Sequence, residues 1–323
     1  MPQKVRLPPE HVLCGAELPA ALADLSDAPE RLHMRGELPR GAAVAIVGTR
    51  YPTADAYGYT RQLAGELSVA GATIVSGGAK GIDTAAHLGA LDVGGPTVVV
   101  APAGFERPYP PENAELFRRV VESGGAYLTP EAADEPAALA KFFRRNAILA
   151  ALSHALVVSE APLRSGARNA AASARRLGRA LFVIPAVPWN PKGQGNVAEL
   201  QLGARALFSH RDVLRWLEAS RVHAIPLPAE RRARIVRLRG EVEGAAPIAR
   251  PGRVAAGLQL DPDAASLVDA VRAGALHPSD VCDRTGLSPA KVQQLVLTLT
   301  LDQVLASDRA GRLRLVDDRL PDD

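Results

Sequence analysis

Cysteine is nearly absent from this chain. Cys14 and Cys282 lie far apart and neither has a C-x-x-C partner, so neither a disulfide framework nor a zinc site is expected. No H-E-x-x-H run or carboxylate cluster offers another metal a place. Long apolar runs are missing too: no uninterrupted stretch reaches the length of a membrane span, and Met1 to Pro9 lacks the apolar centre of a signal peptide. The expectation is a cytoplasmic protein with no membrane partner. Aromatic residues make up only 4% of the chain, so the adjacent pair Phe142-Phe143 stands out.

What is present is an ordinary globular composition over 323 residues, enough for a large core and for two domains or one domain with attachments. The net charge of +3 is small but unevenly spread. Residues 1–40 carry 5 basic and 6 acidic side chains, 41–220 carry 18 and 15, 221–260 carry 8 and 3, and 261–323 carry 7 and 11. Ala161 to Ala198 holds Arg164, Arg168, Arg175, Arg176, Arg179 and Lys192 and no acid. A solvated helix face mixes signs, so a one-sign block of this length points to an anionic partner.

The stretch Ser76-Gly77-Gly78-Ala79-Lys80-Gly81-Ile82-Asp83-Thr84-Ala85-Ala86-His87 reads as strand, tight glycine loop and helix. The first N–H groups of a helix lack intrahelical partners and carry the positive end of its dipole, so an anion can sit there while glycines let the backbone come close. Lys80 adds a full positive charge. The spacing is neither G-x-G-x-x-G nor G-x-x-x-x-G-K-[ST], so a loop whose glycines are purely steric stays open as the other reading.

Along the chain, residues 1–40 read as a short helical lead-in, Leu18 to Leu25 and Pro29 to Met34. Continuous apolar runs then alternate with helical patterns. Strands are expected at Val44 to Val47, Thr73 to Val75, Thr97 to Val100, Ala126 to Leu128, Ala155 to Val158, Leu181 to Ile184 and Ala206 to Phe208. Helices are expected at Asp55 to Ala70, Ile82 to Leu91, Asn113 to Val121, Pro136 to Ala151, Ser165 to Leu177 and Arg211 to Ala219. That alternation gives a doubly wound α/β sheet over 41–220, with ligands gathering at the carboxyl ends of its strands. Residues 221–262 break the pattern with prolines, alanines and eight arginines, and read as a basic linker. Residues 263–323 read as three helices and a hairpin around Arg309-Ala310-Gly311, a winged-helix domain. Its third helix exposes Lys291, Gln293, Gln294 and Asp302, too little positive charge for a duplex reader, so protein contact is the expectation.

A second constellation, Lys141-Phe142-Phe143-Arg144-Arg145-Asn146, precedes the strand at Ala155. Together with Gly48-Thr49-Arg50, Ser76 to His87, Tyr109-Pro110-Pro111-Glu112-Asn113, Glu160-Ala161 and Ser165-Gly166, it closely resembles the DprA/Smf family of DNA-processing proteins over about residues 30 to 220. The resemblance implies an extended Rossmann-like domain over 41–220 that binds single-stranded DNA, forms homodimers and loads a RecA-type recombinase during natural transformation; no cofactor is expected. It assigns the family's glycine-arginine turn to Gly48, Thr49 and Arg50, and its phosphate site to Ser76, Gly77, Gly81, Asp83 and His87. The F-P-x-R-N-R segment falls on Phe142 to Ala147, with Phe143 for proline and Ala147 for the last arginine. The S-G-S-L-I-T-A helix start reads Ser165-Gly166-Ala167-Arg168-Asn169-Ala170-Ala171. On the residues' own chemistry, Arg50, Lys80, Lys141, Arg144 and Arg145 supply cations for phosphates. One of Phe142 and Phe143 is expected in the core and the other on a base.

The alternative from another class is a Rossmann enzyme that cleaves nucleoside phosphates. Against it, the P-G-G-x-G-T-x-x-E signature of the lysine-decarboxylase-like proteins is missing. Ser76, Asp83 and His87 superficially offer nucleophile, acid and base, but such roles are recognised by geometry, and a structural role for Asp83 and His87 is the expected one.

Overall fold

The computed structural model describes residues 8–187, 189–222, 261–301, 304–307 and 312–315. The apolar runs become parallel strands because both of their faces are covered. Val44 and Ile46 point to one face of the sheet and Ala45 and Val47 to the other, and all four are buried.

The first unit holds nine strands and seven helices among the described residues. In chain order these are β1 (His11–Cys14), β2 (Arg31–Gly36), β3 (Ala43–Val47), α1 (Ala54–Val69), β4 (Thr73–Ser76), α2 (Ile82–Asp92), β5 (Thr97–Val100), α3 (Ala114–Glu122) and β6 (Ala126–Thr129). They continue as α4 (Leu139–Ala151), β7 (Ala155–Val158), α5 (Gly166–Arg176), β8 (Ala180–Val183), α6 (Gln194–Gln201), β9 (Arg205–Ala206) and α7 (His210–Ala219). The strands form one sheet in the order β1-β2-β6-β5-β4-β3-β7-β8-β9, parallel from β6 to β9. Helices α4 and α5 pack on one face, and α1, α2 and α7 on the other. This is the expected doubly wound sheet. Its strand order reverses between β3 and β7, so the crevice outside their carboxyl ends is the switch point where such sheets bind ligands.

The lead-in is a correction. Residues 31–36 form β2, which pairs antiparallel with β1 and with β6 and so extends the sheet; only Ala20–Asp24 makes a longer 3₁₀ turn. The reason is a period of two: Leu32 and Met34 pack against the core beneath α4 and α5, while the alternate Arg35 lies over the Phe105 ring at 4.8 Å. Helix α6 was also not expected. Its Asn196 anchors it to the strand ends, donating to the carbonyls of Ser159 (2.6 Å) and Ile184 (2.8 Å).

The basic linker expected at 221–262 lies outside the described residues from 223 to 260. Beyond it, a second compact unit holds α8 (Pro262–Arg272), α9 (Pro278–Thr285), α10 (Pro289–Leu301) and the antiparallel pair β10 (Leu305–Ser307) and β11 (Leu313–Leu315). Helix α8 begins at Pro262, inside the expected linker, because Asp261 caps it by accepting from the N–H of Ala264 at 2.8 Å. Leu267, Val281, Val292, Leu299, Leu305 and Leu313 make a separate core. The expected turn Arg309-Ala310-Gly311 and Asp302 lie outside the described residues.

Candidate nucleic-acid interface

The glycine loop between β4 and α2 sits beside the turn that follows β3. Gly81 has φ +79°, and a Cβ there would stand 2.5 Å from the carbonyl oxygen of Thr49 and 2.6 Å from that of Arg50. Only glycine lets the two turns meet this closely. The contact is held by backbone hydrogen bonds: Ile82 N–H donates to Thr49 at 3.1 Å, and Thr49 N–H donates to Glu160 at 2.7 Å. Gly48 belongs to the same close packing, since a Cβ there would meet Ile82 at 2.5 Å.

The loop's far side is pinned by Asn113, whose amide donates to Gly78 O and to Thr84 Oγ1, both at 2.9 Å. Lys80 reaches Glu112 at 2.8 Å. Thus the Tyr109 to Asn113 segment is a brace for the glycine loop. Tyr109 itself stands edge-on to Phe142 with ring centroids 5.5 Å apart, and the Arg50 guanidinium lies 5.8 Å from the first ring and 5.5 Å from the second. Arg50 is therefore oriented by two aromatic faces at the carboxyl edge of the sheet.

Several expected roles change once partners are visible. Arg145 is 5% exposed, so it is not a surface contact for phosphate. Its guanidinium fills the space beside Gly77, where a Cβ would stand 1.0 Å from Nη1, and it faces Asp83 at 3.6 Å. Asp83 in turn accepts from the N–H of Ala79 at 3.3 Å, so the anion at the start of α2 is the protein's own carboxylate. Burial pushes that carboxyl upward in pKa, and Arg145, the Ala79 N–H and Arg50 pull it back. Ser76 is fully buried and its hydroxyl donates to Ile46 O at 2.6 Å. His87 is fully buried and bonds Thr97 Oγ1 at 2.8 Å through Nδ1. Ser76, Asp83 and His87 thus serve three different partners and do not form a triad.

The acid-free block is another correction. Glu199, the residue just after its end, is buried and receives Arg168 Nε at 2.8 Å together with Arg175 Nη2. Arg168, expected to add charge to the DNA site, thus has its charge paired with Glu199. Arg179 pairs with Asp24 at 3.0 Å.

The remaining expected residues separate by exposure. Phe142 is 5% exposed and belongs to the core, whereas Phe143 is 50% exposed, as expected for one residue of that pair. Lys141 pairs with Glu131 at 3.0 Å and Glu135 at 2.6 Å, and Arg144 lies 3.9 Å from Asp27 and 4.0 Å from Glu131. Asn146 is buried and donates to Gly166 O (3.2 Å) and Asn169 Oδ1 (3.1 Å), joining α4 to the start of α5. Ser165 caps α5 by accepting from Arg168 N–H at 3.4 Å. Glu160, of the Glu160-Ala161 motif, ties this edge together. At 4% exposure, its carboxylate accepts from Thr53 N–H (2.7 Å), Thr53 Oγ1 (3.1 Å) and Asn190 Nδ2 (3.0 Å), tying together the loops after β3, β7 and β8. Nothing in its neighbours' spacing announces that, because the partners come from loops distant in sequence.

The fold and this edge define a Rossmann-like α/β protein with its charged and aromatic groups gathered at the carboxyl ends of parallel strands. Residues 11–218 match the family described as DNA recombination-mediator protein A, and the chain belongs to that family. It is 37% identical to the protein Smf of Synechocystis over 185 residues, 57% of this chain and 46% of that one. The chain therefore spans less than half the length of that relative. The crystal structure of DNA processing protein A from Streptococcus pneumoniae superposes with a TM-score of 0.59 at 32% identity, covering 64% of this chain and 73% of that one. A structure of DNA processing protein A from Helicobacter pylori, described for its single-stranded DNA binding mode, gives a TM-score of 0.59 at 30% identity, covering 66% and 97%. No helix among the described residues is long and apolar enough to cross a membrane.

Proposed function

We propose that this chain binds single-stranded DNA along the carboxyl edge of its parallel sheet and acts in DNA processing during natural transformation. The observation that carries the reading is Arg50, set against Tyr109 and Phe142 beside the glycine loop, in a chain similar to the single-strand-binding Helicobacter protein. Cations for phosphates and an aromatic for a base are the parts such binding needs. Arg50, Lys80, Lys141 and Arg144 supply the first, and Phe143 the second. Lys80 and Lys141 lie in ion pairs at or near the surface, which are weak enough to be exchanged for phosphate oxygens. Ser76, Gly77 and Arg145 then act from beneath, by shaping the loop.

In the same reading the protein protects incoming strands and delivers them to a RecA-type recombinase. It works as a homodimer, performs no chemistry on the strand, and carries a winged-helix domain at its C-terminus for protein contact. The test is binding of labelled single-stranded and duplex oligonucleotides across a salt series. Single strands should bind more tightly, with log affinity falling by about 0.7 per phosphate neutralised for each decade of salt. Equal affinity for duplex overturns the reading.

A further inference from the structure

One group of side chains at the same edge has no part in the site so far. Trp189 is 80% exposed on the loop after β8, and Leu163, on the loop after β7, is 48% exposed. Strands β3, β7 and β8 are neighbours and parallel, so their three loops leave the sheet side by side. The buried Glu160 carboxylate joins them: it holds Thr53 from the first loop and Asn190, the residue after Trp189, from the third. Asn190 also accepts from the N–H of Lys192 at 3.0 Å. The backbone on the C-terminal side of Trp189 is therefore anchored while its ring stands in water.

Arg164 and Lys192, the two cations of the acid-free block closest in sequence to Leu163 and Trp189, make no ion pair among the described residues. In that block, Arg168 and Arg175 are held by Glu199 and Arg179 by Asp24, so these two keep their charge for something else. An aromatic ring on an anchored loop, flanked by uncommitted cations, matches what an extended nucleic-acid strand needs: a face to stack a base and charge for the flanking phosphates.

We propose that Trp189 is a base-stacking platform for single-stranded DNA, with Arg164 and Lys192 contacting adjacent phosphates. The inference rests on the single-strand reading above and extends its track from the glycine loop across the switch point. From β4 to β8 is three strand spacings, about 14 Å. That is about four nucleotides at the ~3.4 Å stacked rise.

The chain has 2 tryptophans, so a Trp216→Phe variant leaves Trp189 as the only indole. Titration of that variant with a fluorescently end-labelled oligothymidine should quench Trp189 emission in step with the rise in label anisotropy. In the full chain, Trp189→Ala should weaken oligothymidine binding about tenfold, and Trp189→Phe should restore most of it. Should Trp216→Phe fail to fold, since Trp216 packs edge-on to Phe182, the two Trp189 variants decide alone. Unchanged affinity in Trp189→Ala overturns this inference and leaves the single-strand reading standing; the exposed patch then belongs to a protein partner. Failure of the wild-type chain to bind any single strand overturns both.

Discussion

The Arg145 guanidinium stands 3.6 Å from the Asp83 carboxylate, and both side chains are more than nine-tenths buried under the glycine loop. A buried pair of this kind is costly to break from one side, because the group left behind keeps its charge without a partner. Arg145→Ala should destabilise the first unit by about 3–5 kcal/mol in urea unfolding. Asp83→Ala should do the same, and the double variant should lose less than the sum of the two. Additive losses would show that the two charges do not stabilise each other. Any loss of DNA binding in Arg145→Ala is then a folding effect, which distinguishes it from Arg50.

Gly81 gives a second, independent check on the loop. Its Cβ position is closed by the Thr49 and Arg50 carbonyls, and its φ of +79° is one that L side chains rarely adopt. Gly81→Ala should cost about 1–3 kcal/mol and weaken oligothymidine binding with it, because the turn that carries Arg50 has to move. Gly166→Ala is the contrast. Nothing lies within 4 Å of its Cβ position, at the exposed start of α5, so stability should stay within about 0.5 kcal/mol of wild type.

These two positions also show how far the sequence could be read. The alternation of apolar runs and helical patterns revealed the sheet, since a run such as Ala43–Val47 has few other places to go than the middle of a parallel sheet. The lead-in differs from the expected helices because Arg31 to Gly36 has the period of a strand within a stretch rich in leucine, proline and alanine. At the site, motif order was legible but the commitment of each charge was not. Arg145 and Arg168 look like surface cations until Asp83 and Glu199 are brought to them by the fold. Spacing reveals which residues share an element, whereas an ion pair between elements depends on packing that no local pattern encodes.

Arg50 is the cation for which removal should read out in binding more than in stability. It lies at the carboxyl edge with its guanidinium 5.5 Å from the Phe142 ring centroid and 5.8 Å from that of Tyr109. Arg50→Ala should weaken single-strand affinity several-fold and reduce the slope of log affinity against log salt by about 0.7, the share of one phosphate. Arg50→Lys should keep the slope, since the charge remains, but lose affinity, since an ammonium does not reproduce the planar contact with two rings. An unchanged slope in Arg50→Ala would remove this residue from the phosphate track.

His87 makes stability depend on pH in a direction its surroundings dictate. The Thr97 hydroxyl donates its one proton to Ile74 O at 2.7 Å, so it can only accept from His87, and the proton of the neutral ring sits on Nδ1. Nε2 is buried without a hydrogen-bond partner. Protonating it would place a second cation in the core near Arg145, and burial together with that charge lowers the pKa of His87 from 6.5 to about 3. Between those two values the unfolded chain binds a proton that the folded chain refuses. The stability tied to the neutral ring is therefore fully present above about pH 6.5 and is lost as pH falls toward 3, reaching a loss of about 2 kcal/mol at pH 5. His87→Gln, whose amide can still donate to Thr97 and does not titrate, should show a smaller drop in unfolding free energy from pH 7 to pH 5 than wild type. Other groups titrate in both proteins, so the difference between them isolates this ring. Equal drops would mean that His87 carries its proton in the folded state.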